Sequence, residues 1–307
     1  MRIAITGASG FVGGAVAAAL ADDGHEVTGF GRRPDGWCNP RGRYLVWDIA
    51  AGSPDRGSSE GAVDAVVHCA ALADDWAPRA EALRANRDGT RHVVRSFPGA
   101  RIVHISTSSV YDAFVPTIDA REDTPPARRY LSAYSETKAL AERELAGTDA
   151  VILRPHAVYG PGDTTLLPRV LAGVRRGRLV LPEAAEVPHS LTHIDTLVHA
   201  VRRGLDPASP PGTYNVADAE PVLLSAVLRE FLERRGVRAT LTGIPYRAAY
   251  ALAGALEAAA HVARTRPRLT RYAVSQLGMQ RTLDLTRARE RLGFDPAPTS
   301  LEGAEYW

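Results

Sequence analysis

The sequence has few of the features that mark metal-binding, secreted or nucleic-acid-binding proteins. It contains only two cysteines, Cys38 and Cys69, and their spacing does not match a metal site. Cys69 lies in the apolar run AVVHCAA, so we expect a buried free thiol, which fits a reducing cytoplasm. The formal net charge is only +2, so no overall electrostatic field would attract nucleic acid or an anionic membrane.

The sequence also lacks long apolar segments. The N-terminus begins with the strand pattern RIAIT, not with a charged region followed by a long apolar one, which argues against a signal peptide. The most apolar stretch, residues 248–263, is too short for a membrane span and contains Glu257. With 45% hydrophobic and 23% charged residues, the composition is typical of a soluble globular protein. We therefore expect a cytoplasmic protein that binds a small molecule.

The first half of the chain alternates short apolar runs with longer helical patterns, which is typical of a parallel sheet with crossover helices. Residues 115–126 resemble a loop, and after Gly160 frequent prolines divide the chain into short pieces. This organisation predicts an α/β fold, with a Rossmann-type doubly wound parallel sheet in residues 1–160 and a smaller C-terminal substrate-binding lobe in residues 161–307. The predicted strands of the first half are RIAITG, HEVTGFG, RYLVWDI, AVVHCA, RIVHIST and VILRP.

Strands from the second half are expected to complete this arrangement. The strand-like segments PHSLTHI and GTYNVA either return to the large sheet or pair with each other.

The segment TGASGFVGG joins the first predicted strand directly to the first predicted helix. Gly7 permits a tight turn, Gly10 lets the backbone approach a pyrophosphate, and Gly13 lets the helix pack closely on the sheet. Phe11 and Val12 open the helix, whose N-terminal N–H groups are suited to binding phosphate. The spacing is G-x-x-G-x-x-G, and its position between strand and helix predicts a dinucleotide site.

The end of the second predicted strand, GFGRR, indicates which dinucleotide binds. Many dinucleotide folds have an acidic residue here for the adenine ribose, whereas this chain has Arg32 and Arg33. An arginine can pair with a 2′-phosphate, so we expect NADP as the cofactor, with NAD as the alternative. Asp48 and Ile49 close the third predicted strand. Asp48 either accepts a hydrogen bond from the adenine amine or caps the next segment.

Further motifs follow the glycine loop in the order WDI, VVHCAA, NRDGT, HISTSSVYD, YSETK, LRPHAVYGPGD and ARERLGFDPAPTSLEGA. With the glycine loop they cover nearly the whole chain. They resemble the extended short-chain dehydrogenase/reductase family, which includes the NAD-dependent epimerases and dehydratases. The C-terminal half is most similar to the 3β-hydroxysteroid dehydrogenase-like branch.

The resemblance implies roles for individual residues. Thr107, Tyr134 and Lys138 would form the catalytic group, with Ser108 as the alternative to Thr107, and Tyr134 and Lys138 would also contact the coenzyme. Family members often dimerise through the two helices that carry Asn86 and Tyr134, so a homodimer is expected. The remaining residues that would line the coenzyme are Ala70, Ala71, Leu72, Asn86, Pro155, His156 and Val158.

The spacing of Tyr134 and Lys138 has a physical rationale. Positions four apart share one face of a helix, so the Lys138 ammonium would lower the pKa of the Tyr134 phenol. In the reducing direction Tyr134 would protonate the forming alkoxide while the Thr107 hydroxyl bonds the same oxygen. We therefore expect an NADP-dependent ketoreductase or alcohol dehydrogenase that acts on a carbonyl or hydroxyl of a small molecule.

Two alternative functions stay open. The first is a nucleotide-sugar epimerase that keeps its NAD through the catalytic cycle. Family members that bind nucleotide sugars usually have an asparagine where this chain has Ala157 and an arginine where it has His189, which disfavours this alternative. The second is a dinucleotide-sensing regulator, against which the complete catalytic group argues. No metal is expected, and we expect hydrogen bonds to satisfy the ring nitrogens of His68, His104, His156 and His193.

Overall fold

A seven-stranded sheet forms the centre of the protein, which the computed structural model describes at residues 1–37, 39, 41–54, 63–125 and 127–307. Cys38 lies outside the described residues. All neighbouring strands of this sheet are parallel. In spatial order they are β3 (Gly42–Val46), β2 (Glu26–Gly31), β1 (Arg2–Thr6), β4 (Ala65–His68), β5 (Arg101–Ile105), β7 (Ala150–Pro155) and β12 (Gly212–Val216).

The strand order reverses between β1 and β4, which are neighbours in the sheet. Their last residues, Thr6 and His68, lie side by side in the register. A crevice forms where successive connections leave such a pair in opposite directions, and dinucleotides bind there in open α/β sheets. The glycine loop follows β1 and the segment of Ala70 follows β4, so both lie at this crevice.

Helices pack on both faces of the sheet, and apolar residues of α1 and α6 meet the central strands in one buried cluster. Among the described residues, no helix is long and apolar enough to cross a membrane. The helices are α1 (Phe11–Asp22), α2 (Arg79–Ala82), a π-helical turn (Leu83–Asp88), α3 (Gly89–Ser96), α4 (Ala133–Glu144), α5 (Leu166–Gly173), α6 (Ile194–Leu205), α7 (Leu224–Arg234), α8 (Tyr246–Ala263), α9 (Arg271–Gly278) and α10 (Thr286–Leu292).

Three smaller sheets consist mainly of strands from the second half. The order of the largest is β13 (Val222–Leu223), β10 (Pro188–His189), β15 (Arg281–Leu283) and β6 (Thr117–Ala120). The other two are β8 (Val158–Tyr159) with β11 (Thr192–His193), and β9 (Arg178–Pro182) with β14 (Thr240–Ile244).

The strands predicted in the first half and the Rossmann-type sheet are confirmed. The segment GTYNVA forms β12 and joins the large sheet, as one alternative predicted. Both alternatives are wrong for PHSLTHI, which divides into β10 and β11 of smaller sheets. The loop expected at 115–126 contains β6, because Thr117 pairs with the distant Arg281. The division into two lobes at residue 160 stays a prediction.

An ion pair inside the protein ties α4 to the sheet. The Glu142 carboxylate receives two hydrogen bonds from the Arg154 guanidinium at 2.6 and 2.9 Å. The two side chains are only 11% and 9% exposed. Arg154 also donates to the Tyr111 hydroxyl at 3.1 Å. The pair therefore fixes the C-terminal half of α4 against β7, and with it the orientation of the helix that carries Tyr134.

Replacing Glu142 with alanine should lower the free energy of unfolding by about 3–5 kcal/mol, because the buried Arg154 guanidinium loses its only ion-pair partner in the described chain. Glu230→Ala is the matched control, since Glu230 pairs with Arg234 on an exposed helix face and should cost about 1 kcal/mol or less. Urea unfolding of both variants measures the difference. Equal losses would show that the Glu142–Arg154 pair does not anchor the helix.

Candidate active site

The backbone of the glycine loop leaves no room for side chains at its glycine positions. Gly7 has a φ of +75°, and a Cβ at this position would lie 2.7 Å from the Ala70 backbone nitrogen. A Cβ on Gly13 would lie 2.2 Å from the Gly7 carbonyl oxygen. Gly10 is the N-cap of α1, and the first turn, which begins with Phe11 and Val12, has neither a side-chain cap nor an acidic residue. Uncapped N–H groups at a bare backbone turn fit the pyrophosphate of a dinucleotide.

The end of β2 brings the two arginines beside this loop. The Arg33 guanidinium donates to the Ser9 carbonyl oxygen, and the Tyr44 hydroxyl donates to the Arg33 carbonyl at 2.7 Å. Arg32 is exposed. Arg33 thus braces the glycine loop, while the guanidinium of Arg32 can reach solvent and a ligand.

Asp48 lies just beyond β3 and caps the next turn, since its carboxylate accepts from the Ala50 N–H at 3.0 Å. One of its two predicted roles is therefore present in the structure. Ile49 is buried beside it, at 7% exposure. Contact of either residue with adenine stays a prediction.

Asn86 holds the segment that follows β4. It lies in the π-helical turn, is 1% exposed, and its side-chain oxygen accepts from the Leu72 N–H at 2.7 Å. Its amide group donates to the Thr137 hydroxyl at 2.9 Å and to the Leu72 carbonyl at 3.3 Å. Asn86 therefore links the segment of Ala70, Ala71 and Leu72 to α4, and these three residues border the crevice.

The structure brings Thr107 and Tyr134 together. Thr107 lies two residues beyond the end of β5, and Tyr134 lies in the first turn of α4, which the Ser132 hydroxyl caps by accepting from the Ser135 N–H at 3.2 Å. Thr107 lies close enough to Tyr134 to lower the pKa of its phenol. Ser108, the alternative to Thr107, points elsewhere, because its hydroxyl lies 2.8 Å from Nδ1 of His156.

Lys138 is buried beneath this pair, at 1% exposure. Its ammonium donates to the Ile105 carbonyl at 2.6 Å and lies 3.1 Å from Nε2 of His104. Burial lowers the Lys138 pKa to about 8, against an opposing effect of the Glu142 carboxylate. Lys138 therefore makes its hydrogen bonds with the end of β5.

The sequence predicts that the Lys138 ammonium lowers the pKa of the Tyr134 phenol. This prediction is wrong for the protein chain without a bound coenzyme. Burial raises the pKa of the Tyr134 phenol, the neighbouring Tyr272 raises it further, and Thr107 lowers it only in part. The Lys138 ammonium instead donates to the Ile105 carbonyl and lies against His104. Tyr134 is thus held as a neutral phenol, the form that can donate a proton.

The buried histidines differ from expectation in two cases. His68 is satisfied by the Thr6 and Thr90 hydroxyls at 2.7 and 2.9 Å, and burial lowers its pKa to about 3. Nδ1 of His104 and Nε2 of His156, however, have no hydrogen-bond partner in the described chain. Within the same residues, no three histidine, cysteine or carboxylate side chains gather in a way that could hold a metal.

Pro155, His156 and Val158 surround the end of β7, near the two positions at which the sequence argues against a nucleotide sugar. Ala157, between them, has a φ of +47°, a conformation that asparagine adopts more readily than alanine. His189 is 2% exposed, and its ring nitrogens face the Val187 and Gln276 carbonyl oxygens at 3.2 and 2.7 Å. His189 is therefore committed to the protein backbone and cannot contact a substrate phosphate.

Sequence reasoning missed Tyr272 of α9. It lies close enough to Tyr134 to raise the pKa of that phenol. The signal in the sequence is weak, since Tyr272 belongs to no recognised motif.

Cys69, next to the crevice, is a free thiol that is partly buried, and burial raises its pKa to about 12.

The profile of the NAD-dependent epimerase/dehydratase family matches residues 3–217. The chain belongs to this family. A 2-alkyl-3-oxoalkanoate reductase of Shewanella oneidensis is 29% identical, over 97% of this chain and 83% of its own length. A 3 beta-hydroxysteroid dehydrogenase/Delta 5→4-isomerase of Mycobacterium tuberculosis is 28% identical, over 98% of this chain and 88% of its own length.

A solved structure shares the fold. The Bordetella bronchiseptica enzyme WbmH, in complex with NAD+, superposes with a TM-score of 0.76 at 20% identity, over 99% of this chain and 96% of its own. The predicted family is confirmed, and the relatives support the general prediction of an oxidoreductase.

The buried ammonium of Lys138 should give the protein a measurable pH dependence. Its pKa falls from 10.5 to about 8 on folding, so between these values the unfolded chain binds more protons and stability rises with pH. Relative to Lys138→Met, the unfolding free energy of the wild type should therefore increase by about 3 kcal/mol between pH 7 and pH 10.5. Urea unfolding of both proteins at the two pH values measures this change. A constant difference would show that Lys138 keeps its ordinary pKa.

Proposed function

We propose that the protein is an NADP-dependent ketoreductase or alcohol dehydrogenase, with Tyr134 as the general acid and base. The observation that carries this proposal is the hydrogen bond from Lys138 to the Ile105 carbonyl, which holds the helix of Tyr134 against the end of β5, just before Thr107 and at the sheet edge that also carries the glycine loop. A neutral phenol and a hydroxyl side by side can both bond one carbonyl oxygen. The bound nicotinamide would supply or accept the hydride.

In the reducing direction, the substrate oxygen would lie between the Tyr134 phenol and the Thr107 hydroxyl. Tyr134 transfers its phenolic proton to the forming alkoxide, and Thr107 stabilises the same oxygen by donating a hydrogen bond. An ammonium group has three donors, of which Lys138 uses two on Ile105 and His104. The third donor of Lys138 is left for a coenzyme hydroxyl.

The coenzyme proposal rests on the end of β2. Arg33 braces the loop through the Ser9 carbonyl, and Arg32 is exposed beside it. Arg32 is thus the residue that we assign to the 2′-phosphate of NADP. NAD is the alternative coenzyme.

A ketone without a diphosphate fits the substrate side best. The buried His189 and the apolar Ala157 offer no phosphate contact at the two positions where nucleotide-sugar members of the family have polar side chains. The Shewanella relative reduces a 2-alkyl-3-oxoalkanoate, as its name states, which supports a 3-oxo acid or similar ketone as the first substrate to test. We further propose a cytoplasmic homodimer without membrane or nucleic-acid partners.

The nucleotide-sugar epimerase is distinguished by its coenzyme. Freshly purified protein is denatured, any released dinucleotide is identified by mass, and the coenzyme-free protein is titrated with NADPH and NADH. Exchangeable binding with a preference for NADPH supports the reductase. Stoichiometric NAD that resists dialysis supports the epimerase, and absence of binding contradicts both enzymes.

Tyr134→Phe should lower kcat for ketone reduction by about 10²- to 10⁴-fold, because the general acid is lost, while the Kd for NADPH changes little. Tyr130→Phe is the matched control. Its buried hydroxyl has no partner among the described residues, and it lies four positions before Tyr134. Initial rates with a panel of 3-oxo acids and ketones test both variants. Retained activity of Tyr134→Phe, or loss in Tyr130→Phe, would refute the assigned role.

Arg32→Ala should weaken NADPH binding about tenfold to a hundredfold and leave NADH binding almost unchanged, since only the 2′-phosphate loses a charged hydrogen bond. Arg43→Ala removes an equally exposed arginine from β3 and serves as the control. Fluorescence titration gives the four dissociation constants. An equal loss for both coenzymes would contradict the assignment of Arg32 to the 2′-phosphate.

A further inference from the structure

We infer that Arg281 and His156 form a carboxylate subsite close to Thr107, so that the ketone substrate carries a carboxylate, as a 3-oxo acid does. The inference rests on the proposed function and narrows its substrate class. The observation behind it is a pair of buried side-chain nitrogens that line one small pocket and have no hydrogen-bond partner among the described residues.

The Arg281 guanidinium is a buried charge that meets only neutral groups. Its side chain belongs to β15, and the residue is 5% exposed. Its two Nη groups donate to the carbonyl oxygens of Val115 and Ala113 at 2.8 and 3.2 Å, and to the hydroxyls of Thr117 and Ser275 at 2.8 and 2.7 Å. None of the ion pairs in the described chain includes Arg281. Its Nε is left without a partner.

A counter-charge from outside the chain would stabilise this guanidinium. Burial lowers the pKa of Arg281 to about 10, so the side chain is still a cation at neutral pH, and a buried cation is costly without a paired anion. Asp112 does not supply the anion. Arg281 contacts only its main-chain oxygen, while its exposed carboxylate accepts from the Phe114 N–H at 2.8 Å.

His156 offers a second donor. It is 7% exposed, its Nδ1 lies 2.8 Å from the Ser108 hydroxyl, and its Nε2 has no partner in the described chain. Burial, and after it the neighbouring His189 and Arg281, hold the pKa of His156 well below its ordinary value. A neutral imidazole carries one proton. When the Ser108 hydroxyl donates to Nδ1, that proton lies on Nε2, which then needs an acceptor.

The pocket joins these two donors to the catalytic group. Arg281, His156, Ser108 and Ser109 all line it, and the two serines follow Thr107 directly in the chain. The centre of a water-sized atom can move within about 10 Å³ of the pocket, which is room for one carboxylate oxygen and not for a phosphate group. The carboxylate carbon of a 3-oxo acid is only two bonds from the keto carbon. One carboxylate oxygen can therefore satisfy both donors while the keto group lies beside Thr107.

The test compares freshly hydrolysed 3-oxohexanoate with its methyl ester, using NADPH and the full-length protein. For the wild type we expect kcat/KM to be about tenfold to a hundredfold higher with the acid, because the ester lacks the charge. Arg281→Met should remove this preference by lowering the value for the acid alone. His156→Phe should reduce the preference about twofold to tenfold, the effect of a lost neutral hydrogen bond, with the Kd for NADPH unchanged.

The acid-to-ester ratio separates recognition from folding, because a misfolded fraction lowers both rates equally. Arg101→Met is the matched control. Arg101 is 8% exposed, pairs with Asp149 at 2.9 Å and lies at the start of β5, so its loss should leave the ratio unchanged. The inference is overturned if the wild type reduces the ester as well as the acid, or if Arg281→Met keeps the wild-type ratio. Weaker NADPH binding by His156→Phe would place His156 at the nicotinamide and refute its assignment to the carboxylate.

Failure of the proposed function looks different, since neither ketone would then be reduced. The subsite is tested in that case without turnover, by calorimetric titration of the wild type and Arg281→Met with hexanoate and hexanamide. The wild type should bind hexanoate about tenfold or more tightly than hexanamide, and Arg281→Met should bind the two alike. Equal binding of both compounds by the wild type would show that only water enters the pocket and would overturn the inference.

Discussion

The candidate active site is organised around one buried cation. The ammonium of Lys138 is out of water, where a charge is costly unless hydrogen bonds replace its hydration. The Ile105 carbonyl and His104 supply these bonds, and both belong to β5, the strand whose end also carries Thr107. Burial of Lys138 therefore fixes α4 relative to β5. The distance between the phenol on the helix and the hydroxyl after the strand is set by the same contacts.

Two further contacts keep α4 from shifting along the sheet. The Ser132 hydroxyl fixes the first turn, and the Glu142–Arg154 pair fixes the end. Tyr134 lies between these anchors, close to the capped end. A general acid must lie within hydrogen-bond reach of the atom that it protonates, and rigid elements achieve this more accurately than loops do. The buried ion pair thus serves the site even though it lies about two turns further along the helix.

The residues of a single segment were sufficient to predict the structural features that depend on that segment alone. The apolar runs predicted the strands of the first half, and the glycine loop predicted the crevice, since strand period and turn chemistry are encoded in adjacent residues. Contacts between distant segments were not predictable in this way. β6 forms only because β15 lies beside it, and the start of α9 meets the segment after β4 only because the Asp75 carboxylate accepts from the Thr270 hydroxyl. Helical spacing placed Tyr134 and Lys138 on one face, but not the acceptors that draw the ammonium away from the phenol.

The substrate side of the site illustrates how one backbone can serve different ligands. Ala157 keeps a left-handed conformation, at a φ of +47°, which costs an alanine about 1–2 kcal/mol and suits an asparagine better. The turn after β7 therefore has the shape that a polar side chain would favour, while that side chain is missing. His189 is likewise buried where an arginine would face a phosphate. The fold alone does not decide between a nucleotide sugar and a simple ketone, so the proposed substrate class rests on side chains such as Ala157 and His189.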